Sequence, residues 1–203
     1  MQKTFSGRYL MEKKTDGRRV RMTKMLLKKA LIDIMKTKSI HLVSIKEICE
    51  EADVNRSTFY RHYDTQYDLY DEIIDDIAND IGAIYSDDYT TVEFLTKVLE
   101  YIENNRETFL AILSDNGKVS LGEAFVLFTG RFIDHNNTSE LVNYVMGFIA
   151  AGFTSTVWTW LNKENRRPAS DVARMLHNLM MHGIGRVTRL SGFIREMKKM
   201  EEK

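Results

Sequence analysis

Residues 44 to 69 read Ser-Ile-Lys-Glu-Ile-Cys-Glu-Glu-Ala-Asp-Val-Asn-Arg-Ser-Thr-Phe-Tyr-Arg-His-Tyr-Asp-Thr-Gln-Tyr-Asp-Leu, and this stretch decides the architecture. Ser44 and Glu47 stand at the capping-box spacing, in which a hydroxyl and a carboxylate three residues apart satisfy the open backbone groups of a helix's first turn, contributing about 1 kcal/mol. Ile45, Ile48, Cys49 and Ala52 then fall on one side of a short helix. Asp53-Val54-Asn55 does not readily extend it, because Asp and Asn side chains compete for backbone hydrogen bonds and favour turns and caps. A third, very short helix follows from Arg56 to Tyr60 or His62, and Thr65 and Asp68 offer another capping box that opens a fourth.

Two short helices joined by a three-residue turn, the second rich in groups that bond to nucleic acid, are the parts of a helix-turn-helix DNA reader. The first braces and the second enters the major groove. Arg56 and Arg61 are suited to bidentate bonds with guanine or phosphate, and Ser57 and Thr58 to bonds with bases or phosphates. Tyr60 has a ring to lay on a sugar or a thymine methyl and a hydroxyl to reach a phosphate. Asn55, in the turn, joins this candidate set.

With these residues in place, the run from Ser44 to Leu69 resembles the DNA-binding domain of TetR/AcrR regulators, whose pattern passes from Ile-Ala-x-x-Ala-x-Val into Thr-Phe-Tyr-x-His-Phe and then Ser-Lys-x-x-Leu. The likeness spans about residues 20 to 80 and is most specific in Thr58-Phe59-Tyr60-Arg61-His62-Tyr63. It implies DNA contacts at Ser44, Lys46, Arg56, Ser57, Thr58, Tyr60 and His62, with Phe59 locking the third helix onto the first. One departure matters: where the family usually has lysine at the start of the fourth helix, this chain has Gln66. A neutral amide still donates to phosphate, but one contact that releases a counterion is lost from each subunit.

Working outward, residues 1 to 20 are polar and without periodicity and are expected to form a basic, loosely ordered arm. From Thr23, apolar residues at Leu27, Ala30, Leu31, Ile34 and Met35 repeat at three and four, which predicts a helix ending near Ser39. The fourth helix carries Leu69, Tyr70, Ile73, Ile74, Ile77 and Ile81 along one side and Asp71, Asp75, Asp76 and Asp80 along another, the latter expected to be a solvated face. Further helices are predicted near Thr91–Asn104, Glu107–Leu113, Ser120–Ile133, Glu140–Asn162 and Ser170–Arg195. With one proline and no alternating strand pattern, the fold class is all-α: a three-helix DNA-binding domain at residues 21–66 and a C-terminal helical bundle at 67–203.

Zero net charge conceals a division. Residues 1 to 63 hold 15 Lys/Arg against 7 Asp/Glu, and residues 64 to 203 hold 14 against 22. A basic head on an acidic body suits a protein that brings one end to phosphates and keeps the rest away. The N-terminal lysines and arginines precede no apolar segment of the kind a secretory signal needs, so the cytoplasm is the expected compartment. Val145 to Leu161 is the longest apolar stretch; it is interrupted by Thr154, Ser155, Thr156 and Thr159 and reads as a buried helix, not a membrane span.

Tyr144 to Trp160 is apolar around much of its circumference and holds Gly147, Ala150, Ala151 and Gly152, which permit close helix approach. Together with Asn104 to Leu113 it looks like the C-terminal domain of a TetR subgroup that includes regulators of small-metabolite operons. The resemblance implies a homodimer held by the last two long helices, Glu140–Leu161 and Val172–Leu190. Phe94, Phe109, Phe125, Phe128, Met146, Phe153 and Trp158 are candidate walls for a small hydrophobic effector, and equally serve as core.

Enzyme and metal chemistry find no support. His177 and His182 are five apart on different helix faces, Gly183-Ile-Gly185 lacks the strand and third glycine of a dinucleotide loop, and no nucleophile elbow or P-loop occurs. Cys49, the one cysteine, reads as a small core residue, and no cofactor is expected. The function expected is therefore a transcriptional regulator, a repressor on a palindromic double-stranded operator that an effector releases. The alternative is a regulator whose body recruits a protein partner.

Overall fold

The computed structural model describes residues 17–86, 88–114 and 140–182 of the chain. All regular elements among these are helical: α1 (Arg18–Met35), a 3-10 turn (Ile40–Leu42), α2 (Ile45–Glu51), α3 (Arg56–Phe59), α4 (Gln66–Ile84), α5 (Thr91–Asn104), α6 (Arg106–Ser114), α7 (Glu140–Leu161) and α8 (Ala169–His182). The predicted helix at Ser120–Ile133 and the part of the last helix beyond residue 182 lie outside the described residues.

α1 opens at Arg18, inside the stretch expected to be an arm, with the Gly17 carbonyl accepting from the Val20 and Arg21 amides. Arg18 to Arg21 have adequate helix propensity but no apolar period, so a reading of period alone starts the helix too late. It also ends early, at Met35, because Ser39 is extended and leads into the 3-10 turn that buries Ile40. The capping boxes at Ser44/Glu47 and Thr65/Asp68 form as expected, and a third at Thr90/Glu93 opens α5.

In the head, Leu27, Leu31 and Met35 of α1 join Ile48 and Cys49 of α2, Phe59 of α3 and Leu69, Tyr70 and Ile73 of α4 in the buried core. Each large apolar side chain so removed from water contributes about 1.5–3 kcal/mol against the entropy of ordering. Lys24 and Lys28 of α1 pair with Glu72 of α4, and Lys28 also with Asp76. The acidic side of α4 is thus not simply a solvated face: it staples α4 to α1, and Asp80 accepts the Tyr101 hydroxyl of α5 at 2.8 Å.

The body continues the same core through Leu95, Val98, Leu99 and Ile102 of α5, Phe109, Ile112 and Leu113 of α6, Val157 and Leu161 of α7, and Val172, Ala173 and Leu176 of α8. α5 packs along α8, and α6 against α1 and α7. The loop between α7 and α8 is pinned from three sides: Trp160 Nε1 donates to the Arg167 carbonyl, Arg106 Nε to the Leu161 carbonyl, and Arg166 pairs with Glu103. On α7, Gly147, Phe148, Ala151 and Gly152 are exposed, Phe148 by 74%.

Candidate nucleic-acid interface

The turn between α2 and α3 is closed by backbone: the Ala52 amide reaches the Ile48 carbonyl and the Val54 amide the Cys49 carbonyl, both at 2.9 Å. Asp53 takes φ 51°, the left-handed conformation that Asp and Asn tolerate better than other side chains. Asn55 then starts α3 in extended geometry without using its side chain as a cap, which leaves the amide facing out. The helix proper is one turn long, Arg56–Phe59, shorter than either extent expected; hydrogen-bonded turns carry it on through His62 and Tyr63.

Within this turn one residue faces in and the rest do not. Phe59 is fully buried, with the Tyr60 ring edge-on at 5.8 Å and the Tyr63 ring at 5.6 Å. Around it Asn55, Arg56, Ser57, Tyr60 and Arg61 are exposed, Tyr60 by 55%, and Thr58 and His62 are half-buried. The aromatic anchor therefore fixes the orientation of a short helix that leaves Arg56, Ser57, Tyr60 and Arg61 exposed. Donors held outward on a rigid stub are what base-edge and phosphate recognition require.

Ser44, Lys46 and Gln66, the other expected contacts, sit at helix starts. The Ser44 hydroxyl accepts from the Glu47 amide and donates to the Glu47 carboxylate, so it is exposed but engaged. Lys46 lies 3.6 Å from Glu50 in a solvent-exposed i,i+4 pair, too weak to withhold its ammonium from a phosphate. Glu47 is held at a pKa of about 2 by the Lys38 ammonium and then by the hydroxyl and amide of Ser44. Gln66 is half-buried in the first turn of α4. One contact beside it was beyond sequence reasoning: Nδ1 of His41 lies 2.9 Å from the Tyr67 hydroxyl, and nothing local links residues 26 apart in the chain.

The expected effector residues are distributed differently. Phe109 and Phe153 are buried in the core, Phe94 and Trp158 pack half-buried against it, and Phe125, Phe128 and the Met146 side chain lie outside what is described. A cleft of about 420 Å³ between head and body is lined instead by residues such as Lys28, Ile32 and Lys36 of α1, Asp76 and Asp80 of α4, Tyr101 of α5 and Glu107 of α6. Lys36 joins Asp33 to Glu107 across it, which raises the ammonium's pKa. Burial and then Asp80 push the Tyr101 phenol up. Among the described residues no helix is long and apolar enough to cross a membrane, and no group of three or more His, Cys, Asp and Glu is placed to hold a metal ion.

Residues 29–73 match the family described as bacterial regulatory proteins, tetR family, and residues 89–182 match a transcriptional regulator C-terminal region. Among curated proteins, the chain is 26% identical over 150 residues to an uncharacterized HTH-type transcriptional regulator, YxbF, of Bacillus subtilis, a match covering 68% of this chain and 39% of that protein. It is 27% identical over 85 residues to the dhaKLM operon transcriptional activator DhaS of Lactococcus lactis, covering 42% of this chain and 46% of that one. These matches take in less than half the length of either curated relative. In fold it is similar to a TetR transcriptional regulator from Streptococcus agalactiae, with a TM-score of 0.62 at 20% identity over 80% of this chain and 96% of that one. The dihydroxyacetone kinase operon activator DhaS superposes with a TM-score of 0.50 at 20% identity over 78% and 93%. With a helix-turn-helix head, a helical body and family matches over both, the chain belongs to the TetR family of transcriptional regulators.

Proposed function

We propose that the chain acts as a homodimer on a palindromic operator, setting one α3 from each subunit into successive major grooves and repressing transcription by occupying the site. The observation that carries this reading is the exposure of Arg56, Ser57, Tyr60 and Arg61 on a stub anchored by buried Phe59. Arg56 and Arg61 supply bidentate donors to guanine or phosphate, and Tyr60 packs on sugar or a thymine methyl. Ser44, Lys46, Asn55, Thr58, His62 and Gln66 set the register through backbone and flanking contacts. The exposed positions of α7 at Gly147, Phe148, Ala151 and Gly152, with α8, form the subunit interface. A small hydrophobic effector among Phe94, Phe109, Phe153 and Trp158 then releases DNA by favouring a different spacing of the heads. The work is done in the cytoplasm and involves no catalysis.

The test is enrichment of duplexes from a random-sequence pool by the full chain, followed by footprinting and a reporter carrying the enriched site. A dyad-symmetric site, protected in salt-sensitive fashion and silenced by the protein, is expected. A similar protein, DhaS, is named an activator. Reporter output that rises on expression would therefore replace repression by activation, and an unprotected pool would end the operator reading altogether.

A further inference from the structure

We propose that His41 and Tyr67 form one hydrogen-bonded unit that grips a phosphate of the DNA backbone, in place of the ammonium absent at Gln66; this rests on the DNA-binding reading above. The Tyr67 hydroxyl and His41 Nδ1 are 2.9 Å apart, with the rings tilted at 49° and their centroids 5.8 Å apart. Both side chains are exposed, Tyr67 by 40%. A hydrogen bond in that setting adds little to folding, since water would serve either partner nearly as well. Stability is therefore a poor account of why two solvent-facing rings from distant parts of the chain are held together.

Position supplies a better one. His41 belongs to the 3-10 turn three residues ahead of Ser44, and Tyr67 follows Gln66 in the first turn of α4, a 19-residue helix with its positive end there. The pair thus joins the start of α2 to the start of α4, beside the expected backbone contacts at Ser44 and Gln66. The Asp68 carboxylate in this first turn is engaged by the Asp64 and Thr65 amides and the Thr65 hydroxyl, and Glu47 is engaged in the same way by Ser44 at the start of α2. Chemically, a phenol donating to Nδ1 fixes the imidazole with its Nε2–H directed away from the pair. That N–H donates to a phosphate oxygen, a neutral donor beside the position where Gln66 stands.

The experiment uses the full chain and a labelled mixed-sequence duplex of about 30 base pairs, since a phosphate contact is independent of sequence, with affinity followed from about 50 to 200 mM salt. His41→Ala binds about tenfold more weakly across the salt range, as two lost contacts per dimer multiply. His41→Arg binds at least as tightly as the parent with a steeper dependence. Tyr67→Phe weakens binding alone and adds nothing to His41→Ala. Melting temperatures separate these effects from folding, and His41→Leu, which keeps bulk but has no donor, replaces His41→Ala if the latter is destabilised. Parent-like affinity and salt slope for both His41→Ala and His41→Arg, while the parent chain itself binds in salt-dependent fashion, would overturn the pair's role and leave the DNA reading standing. A parent chain that shows no salt-dependent binding removes both.

Discussion

Phe59 has no exposed surface, and its two sequence neighbours Thr58 and Tyr60 stand half-buried and exposed. A single aromatic ring therefore sets which side chains of this short helix are left exposed. Phe59→Ala removes that anchor from a fully buried site and is expected to cost about 3–5 kcal/mol, read as a lower denaturant midpoint at unchanged slope. An unchanged midpoint would show that the stub is held by its turns alone. The residues of this stub were legible in the sequence because turn and cap chemistry is local: Asp53, Asn55 and the two capping boxes lie within reach of the groups they satisfy. His41 and Tyr67 were not, because their contact exists only after α2 and α4 have been brought together by the core.

At the scale of elements, periodicity placed α4, α5 and α7 nearly where they stand, whereas α1 was set five residues late because its first turn carries arginines with no apolar repeat. Pairing across elements was legible least: nothing in the acidic run of α4 announces that Glu72 and Asp76 meet Lys28, or that Asp80 meets Tyr101. The start of α2 makes an electrostatic prediction. Glu47 has a folded pKa of about 2, below its unfolded value, so the stability it contributes is complete above the usual carboxylate range and is lost as pH falls toward about 2. Glu47→Gln should therefore melt below the parent near pH 6, with the gap closing near pH 2. A gap of constant size across that range would mean the carboxylate's charge is irrelevant to the helix start.

For the whole molecule, a basic head and an acidic body share one continuous core, and Phe148 on α7 is, at 74%, the most exposed large apolar side chain among the described residues. If a second subunit covers it, Phe148→Glu should shift the protein from dimer toward monomer in sedimentation, because a carboxylate buried in an apolar contact is costly. A dimer that persists unchanged would move the interface elsewhere. If the chain binds a specific operator, α3 reads base pairs from its exposed side. The direct measurement compares the parent chain with Tyr60→Ala and Arg61→Ala on the duplex enriched by the parent and on a scrambled duplex of equal length, with melting temperatures alongside. The expected result is a loss of about 1–3 kcal/mol per base contact on the enriched site, little change on the scrambled one and intact folding. Equal affinity of all three proteins for both duplexes would contradict it.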